Sequence, residues 1–301
     1  MEEARARTLA ETMPEWAPWV LLILGTGTAS VAAILIRYAQ EAPALAISFW
    51  RCAAGAALLA PFAFRRIKSV ARRDLLHPLI AGAFLAIHFA TWITSIELTS
   101  IAASVLLVST GPVFIALAAP GLFGERVGPS IWAGISLALG GTALVAGTDL
   151  GGSSLGGNLL ALVGGAAGGY YVAFGQLARR KLGVLEYSVV AYAFAAVLLI
   201  IVCLSSGVEL GGYEPKTWFA IAALVLGPQV LGHTVINLVL SDIDATTVSV
   251  MIMSEPIVAT TLAWLLLSEV PSWLIYPGGA AILAGIYIVS TARRQPVVIV
   301  E

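Results

Sequence analysis

Long apolar stretches alternate along the chain with short segments that hold charged residues, glycine and proline. Ten stretches have about the 20 residues that a helix needs to cross a hydrocarbon core about 30 Å thick. They cover residues 17–36, 43–64, 76–97, 100–123, 129–147, 157–178, 186–206, 217–240, 245–267 and 272–292. Each stretch is continuously apolar rather than alternating with a period of two, which favours helices over the strands of a membrane barrel. The pattern predicts an all-α integral membrane protein with ten transmembrane helices.

Composition supports this class. Of 301 residues, 59% are hydrophobic and 11% are charged, whereas soluble domains carry about 25% charged residues. The net charge of −1 gives no electrostatic basis for binding nucleic acid. The two cysteines, Cys52 and Cys203, lie inside apolar stretches and form neither a disulfide framework nor a metal-ligand motif. We therefore expect no metal site and no cofactor.

Motifs for soluble catalytic chemistry are absent from the sequence. The chain has no GxxxxGK[ST] loop for ATP phosphates and no GxSxG, HExxH or CxxC motif. We therefore expect a protein that is not an enzyme and is not driven by ATP. An ion gradient, with protons as one candidate coupling ion, or the substrate's own gradient would supply the energy.

The distribution of Lys and Arg predicts the orientation. With the N-terminus in the cytoplasm, 13 basic residues fall in cytoplasmic segments and only two, Arg37 and Lys216, in outer loops. This positive-inside bias places both termini in the cytoplasm and the protein in the inner (plasma) membrane. Residues 1–15 mix acidic and basic side chains without a cleavage site, so we interpret them as a retained tail.

An internal repeat is visible when the chain is shifted by 144 residues. Residues 112–145 then align with 256–289, with nine identities in 34 positions that include Pro112 with Pro256 and Glu125 with Glu269. The repeat divides the chain into two halves, 1–150 and 151–301, of five helices each. Because five is odd, the halves must cross the membrane in opposite senses, an arrangement found in secondary transporters with a site near the midplane.

Interrupted helices at corresponding positions of such halves indicate where the site lies. Pro112 and Pro256 fall near the middle of the fourth and ninth stretches, where each removes a backbone donor and should kink the helix. Glycines lie in the middle of the first and sixth stretches. The expected hinge or gating positions are Gly25, Gly27, Pro112, Gly168, Gly169 and Pro256.

Two charged residues lie at similar depth inside the predicted helices, Arg51 in the second and Glu255 in the ninth. Each would cost about 3 kcal/mol at the centre of an isolated helix, so each should face the protein interior and have a partner. They could pair with each other or contact the carboxylate and ammonium of an amphoteric substrate. Alternatively, Glu255 could carry a coupling proton.

Further polar and aromatic residues complete the candidate site. His88 and Trp92 share one face of the third helix, which suits stacking on a ligand together with one polar contact. His233 and Asn237 have the same spacing in the eighth helix. The predicted substrate-binding residues are Arg51, His88, Trp92, Ser109, Tyr170, Tyr171, His233, Asn237 and Glu255.

An ordered set of short motifs, present twice, resembles the EamA module of the drug/metabolite transporter superfamily. It reads Gly111-Pro112-Val113-Phe114 on to Leu122-Phe123-Gly124-Glu125, and again Glu255-Pro256-Ile257-Val258 on to Leu267-Ser268-Glu269. Arg51 matches an arginine often seen in the family's second helix. The resemblance implies ten helices, cytoplasmic termini and a central cavity lined by helices 1, 3, 4, 6, 8 and 9. It also implies export of small metabolites, with neutral and aromatic amino acids among the known substrates.

These observations lead to one hypothesis and two alternatives. The hypothesis is a secondary active transporter that exports a small amphoteric metabolite, an amino acid in the first instance, by alternating access. The first alternative is an exporter of cationic amphiphiles or quaternary ammonium compounds, which Glu255 would face and aromatic rings would cage. The second is a membrane-embedded enzyme that modifies lipids. Expected partners are the substrate and membrane lipids, and the oligomeric state is left open.

Overall fold

The helices of the computed structural model follow the ten predicted stretches, here called spans 1 to 10. The structure describes residues 13–146, 154–267, 272–292 and 295–296. Six spans are single helices: α3 (Ala44–Ile67), α4 (Leu76–Leu98), α7 (Pro129–Ala146), α8 (Leu155–Arg179), α9 (Val184–Ser205) and α14 (Ile275–Thr291). The 3-10 turn Arg72–Leu75 precedes α4.

The other four spans are interrupted. Span 1 consists of α1 (Ala17–Ala29) and α2 (Ala32–Tyr38), and span 4 of α5 (Ile101–Val108) and α6 (Gly111–Phe123). Span 8 joins α10 (Pro215–Leu224) to α11 (Thr234–Val239) through a π-helical segment, Val225–His233. Span 9 consists of α12 (Ala245–Ile252) and α13 (Glu255–Leu267).

Among the residues that the structure describes, eight spans are long and apolar enough to cross a membrane, and spans 5 and 10 are shorter apolar helices. The prediction of an all-α multi-span membrane protein is confirmed. One small departure is a ladder of two-residue strands, β1 (Glu125–Arg126) and β2 (Gln295–Pro296), which pair antiparallel. Residues 1–12 of the predicted tail 1–15, Ser268 and Glu269 of the repeat, and Arg293 and Arg294 lie outside the described residues.

Contacts among loops and helix ends identify the two ends of the bundle. At one end, Lys181 pairs with Asp74 at 3.0 Å and Arg66 lies 3.8 Å from Glu186; we call this the basic end. At the opposite end, here the distal end, the Glu214 backbone N–H donates to a carboxylate oxygen of Glu41 at 2.9 Å. Loops therefore alternate between the two ends, as expected for successive membrane crossings.

Small residues allow the helices to approach closely, as is usual where lipid removes the hydrophobic drive for helix association. Adding a Cβ at Gly82 of α4 would place it 2.5 Å from the Ala191 carbonyl oxygen of α9. Large apolar side chains such as Phe62 and Leu204 remain exposed on the outside of the bundle. This surface suits contact with lipid.

Helices α7 and α14 form an antiparallel pair with reciprocal glycine contacts. A Cβ on Gly134 would lie 2.9 Å from the Gly285 carbonyl oxygen, and one on Gly285 would lie 2.5 Å from that of Gly134. Gly141 and Gly278 face each other in the same way, at 2.5 and 2.8 Å. These glycines let the two helix backbones approach closely at two points along the pair.

Candidate functional site

A cavity of about 140 Å³ lies in the middle of the bundle. At about 10–15 Å³ per molecule, it has room for roughly ten waters or one small organic solute. Spans 1, 2, 3, 4, 6, 8 and 9 contribute to its wall. Of the predicted residues, the wall contains Arg51, His88, Trp92, Ser109, Gly168, Gly169, Tyr171, His233, Glu255, Pro112 and Pro256.

The helix interruptions predicted at Pro112 and Pro256 are present, and both adjoin this cavity. Because proline lacks an N–H, the carbonyl four residues earlier loses its helical partner. In span 4 that carbonyl belongs to Val108 and is directed at Gly165, where an added Cβ would lie 2.7 Å from its oxygen. The glycine therefore lets α8 pack against the broken end of α5.

Arg51 is fully buried, with 0% of the residue exposed, and its side chain forms part of the cavity wall. The guanidinium lies over the Phe89 ring at 4.0 Å from its centroid. None of its three nitrogens has a hydrogen-bond partner among the described residues. A buried cation without an acceptor is costly, so the site is suited to an anion that enters the cavity.

Glu255 is the first residue of α13 and lines the same cavity. A carboxylate at a helix N-terminus is favoured by the unpaired backbone N–H groups and the helix dipole. Glu255 does not accept a hydrogen bond from Arg51, since all the guanidinium nitrogens are without a partner in the described part of the chain. The two opposite charges thus face one cavity and are not paired with each other.

His88 and Trp92 form a stacked pair on α4, with ring centroids 5.7 Å apart and an angle of 14° between the planes. His88 Nδ1 is 2.7 Å from the carbonyl oxygen of Gly164 on α8. The ring fits there because Gly168 lacks a side chain, and an added Cβ would lie 2.8 Å from Nδ1. The indole N–H of Trp92 is buried and without a partner among the described residues.

Comparison with known proteins identifies the family. Residues 17–147 and 155–291 match the EamA-like transporter family. The chain belongs to this family. This EamA-like transporter is 24% identical over 277 residues to the pseudopaline exporter CntI of Pseudomonas aeruginosa, a match that covers 91% of this chain and 96% of that protein. It is also 24% identical over 206 residues to the uncharacterized transporter YdfC of Bacillus subtilis, covering 67% of each chain.

A solved crystal structure is similar to this EamA-like transporter with a TM-score of 0.75 at 19% identity, covering 91% of this chain and 96% of that one. At this identity the match shows a shared fold. The resemblance drawn from the sequence motifs is confirmed by the family match. The chain is a membrane transporter, and its relatives are named transporters and exporters.

Below the cavity of this EamA-like transporter, toward the basic end, buried polar groups join α8, α9 and span 8. The Tyr171 hydroxyl donates to Asn237 Oδ1 at 2.9 Å. Asn237 Nδ2 in turn donates to the hydroxyls of Ser188 at 3.2 Å and Tyr192 at 3.3 Å. We call Tyr171, Asn237, Ser188 and Tyr192 the polar plug; Tyr171 also lines the cavity, and the other three are fully buried.

Two predicted binding residues do not line the cavity. Tyr170 stacks on Phe84 with ring centroids 5.0 Å apart, because successive residues of a helix point in different directions. Asn237 lies behind Tyr171 in the polar plug and is fully buried. Neither residue lies on the surface of the cavity.

The glycines predicted as hinges lie in uninterrupted helix. Helix α1 runs through Gly25 and Gly27 and ends only at Ala29, so span 1 is interrupted at Ser30 and Val31 instead. Helix α8 runs without a break through Gly168 and Gly169. A Cβ on Gly169 would lie 2.6 Å from the Gly111 carbonyl oxygen, so this glycine permits close packing beside the break of span 4.

Sequence reasoning missed three features of the site. Phe89, adjacent to His88, supports Arg51. The π-helical segment contains Pro228 and the fully buried Gln229, and a proline inside the eighth stretch was the available signal. Arg179, expected only to fix orientation, is buried and donates to the carbonyl oxygens of Asn237 and Leu238 at 3.1 and 3.3 Å.

Proposed function

We propose that this transporter exports a small amphoteric metabolite by alternating access, with an amino acid as the substrate class we favour. The observation that carries the proposal is the pair of opposite charges, Arg51 and Glu255, on one cavity wall without a mutual ion pair. A substrate with a carboxylate and an ammonium group would supply a partner to each.

The need for a charged partner is greatest at Arg51. A guanidinium offers five N–H donors in a planar fork that matches a carboxylate in a bidentate arrangement. Here the guanidinium carbon lies over the Phe89 ring, and none of the guanidinium nitrogens has a hydrogen-bond partner among the described residues. An anionic group bound to these nitrogens would compensate the burial of the cation.

The same charge pair separates this proposal from its alternatives. A quaternary ammonium compound could engage Glu255 but would leave Arg51 unpaired and would be repelled by it. An enzyme acting on lipid headgroups would need a polar cluster near one membrane interface. The candidate charges instead lie near the middle of their spans and around a cavity for a small solute.

Transport by alternating access requires two halves that can move against each other. Support comes from the separate family matches at residues 17–147 and 155–291 and from the reciprocal glycine contacts of α7 and α14. Both are expected of halves related by a two-fold axis in the membrane plane, with residues 1–150 and 151–301 as the repeats. The prolines of spans 4 and 9 supply flexible points beside the site.

The packing around span 9 supports a direction of access. Helix α12 is buried against neighbouring helices, whereas residues 257–262 of α13 are half-buried. This difference is consistent with a cavity that is closed more tightly toward the basic end. With the basic end and both termini in the cytoplasm of an inner (plasma) membrane, this arrangement corresponds to an outward-facing state after release of an exported solute.

The test is counterflow in proteoliposomes without ATP. Vesicles loaded with a panel of unlabelled amino acids would accumulate the labelled compound when the wild-type transporter is present. Glu255→Gln keeps side-chain size, whereas Arg51→Gln leaves a shorter polar side chain. Each removes one charge, and we expect both to abolish exchange. Tyr276→Phe, at an exposed position on α14, is the matched control.

Other results would overturn the proposal. Counterflow restricted to organic cations would favour the carrier of cationic amphiphiles. Failure of every solute, together with turnover of vesicle lipid, would indicate the enzyme. A coupling proton is tested in the wild-type vesicles, because an imposed pH gradient should then drive uptake of the solute.

A further inference from the structure

His88 and Trp92 hold hydrogen-bonding groups that the two charges of an amphoteric substrate leave unused. The carbonyl oxygen of Gly164 can only accept, so the 2.7 Å contact requires the proton of His88 to lie on Nδ1. The neutral ring then carries its lone pair on Nε2. No described residue forms a hydrogen bond with Nε2, and His88 lines the cavity.

Trp92 offers the complementary group beside it. Its indole nitrogen is a donor only, and this N–H is buried without a partner in the described chain. The two rings are stacked and nearly parallel, and both residues line the cavity. A buried donor without a partner is unfavourable, which indicates a group that binds there.

We infer that His88 and Trp92 form a specificity site for a neutral polar group on the substrate, one that both donates and accepts a hydrogen bond. A carboxamide or a hydroxyl group has this chemistry, whereas a hydrocarbon side chain does not. The inference rests on the proposed function: Arg51 and Glu255 would bind the charged ends, and the stacked pair would select the side chain.

The geometry also explains why His88 is held in place. The ring is fixed on one side by Gly164 and fits against the bare backbone of Gly168. A fixed ring presents Nε2 in one direction, and a site built to hydrogen-bond a polar group discriminates strongly against the analogue that lacks it. Selectivity should therefore depend on the nitrogen that faces the cavity.

The experiment compares isosteric solutes in the counterflow assay. Asparagine is matched with leucine and threonine with valine, and the measured quantity is the ratio of initial rates within each pair at low concentration. With about one kcal/mol for each neutral hydrogen bond, we expect the wild type to prefer the polar member by about fivefold to thirtyfold.

Two substitutions of His88 distinguish the roles of its two ring nitrogens. In His88→Asn the amide nitrogen replaces Nδ1 and can still donate to Gly164, but nothing replaces Nε2, so the ratio should fall to about one. In His88→Gln the amide lies near the position of Nε2, and part of the preference should return. Trp92→Phe keeps a ring and removes the donor, which should lower the ratio severalfold.

Thr91→Val is the control, because the Thr91 hydroxyl donates to the Ile87 carbonyl oxygen within its own helix; its ratio should match the wild type. Exchange of amino acids without preference for the polar member, or equal ratios in wild type and His88→Asn, would overturn this inference and leave the proposed function standing. Absence of exchange with every amphoteric solute would overturn both.

Discussion

The Arg51 guanidinium lies 4.0 Å from the centre of the Phe89 ring. Both side chains are fully buried, and the ring comes from α4 while the cation comes from α3. The face of an aromatic ring attracts a cation without consuming any of its N–H donors. Phe89 thus stabilises the buried charge without occupying any of its N–H donors.

Replacing Phe89 with leucine removes this contact while keeping an apolar side chain. A cation–π contact in a desolvated place contributes about 2 kcal/mol. Without the ring we expect the guanidinium to leave its present position, so the apparent affinity for a carboxylate-bearing substrate should fall by up to about tenfold. Phe89→Tyr keeps the ring and should retain most of the affinity. Equal affinity in wild type and Phe89→Leu, measured by concentration-dependent counterflow, would contradict this role.

The pairing of α7 with α14 gives a prediction for stability. Alanine at Gly141 would place a Cβ 2.5 Å from the Gly278 carbonyl oxygen, so the helices must separate. We expect a loss of about 1–3 kcal/mol, as for other overpacked sites, and a lower melting temperature in detergent. The adjacent Gly140 has no atom within 4 Å of the added Cβ. Gly140→Ala should therefore melt at or above the wild-type temperature.

The polar plug predicts a second stability difference. In Tyr171→Phe, the Asn237 oxygen loses the donor that now lies 2.9 Å away, in a place with no access to bulk water. An unsatisfied buried acceptor costs about 1–3 kcal/mol. Thermal unfolding in detergent should register this loss. Tyr276→Phe removes a hydroxyl at a position that is 76% exposed and should have no effect. A similar decrease in both variants would exclude a specific role for the plug.

A pH dependence is expected from Glu41 at the distal end. The Thr217 hydroxyl and the Glu214 backbone N–H donate to its carboxylate, at 2.7 and 2.9 Å, and these hydrogen bonds lower the pKa of Glu41. Because the folded pKa lies below the unfolded value, the stabilisation is present above the unfolded pKa of about 4.3 and is lost as pH falls through the folded pKa.

Glu41→Gln should accordingly melt below the wild type near neutral pH, and the two proteins should converge as the pH falls below about 4. Melting curves in detergent at a series of pH values measure this difference. Glu209→Gln at the same end is a suitable comparison for the general effect of removing one carboxylate. A wild-type advantage that persists unchanged into strong acid would contradict the assignment.

The spans could be predicted from the sequence because lipid requires every backbone group of a crossing segment to be paired within the segment. The breaks at Pro112 and Pro256 could be predicted equally well, since proline lacks the backbone N–H donor that a continuous helix needs. Span 1 was different. Its interruption at Ser30 and Val31 has no glycine or proline. Gly25 instead permits close helix packing, because an added Cβ would lie 3.3 Å from the Gly232 carbonyl oxygen.

The site was predictable in part for the same reason. Depth along a helix follows from sequence position, so Arg51 and Glu255 could be placed at one level of the membrane. Whether their side chains meet depends on helix rotation and on rings such as Phe89, neither of which depth determines. The neighbours Tyr170 and Tyr171 show the same limit, since one residue of rotation separates a supporting side chain from the cavity wall.

The central claim is that Arg51 and Glu255 bind opposite ends of one solute. The most direct measurement is a binding cycle on the purified transporter with an exchanged amino acid, its carboxamide and its N-acetyl derivative, against wild type, Arg51→Gln and Glu255→Gln. We predict that capping the carboxylate weakens binding to the wild type but has little further effect in Arg51→Gln, and that capping the amine behaves likewise with Glu255→Gln. Additive losses, with each cap equally harmful in every variant, would contradict the account.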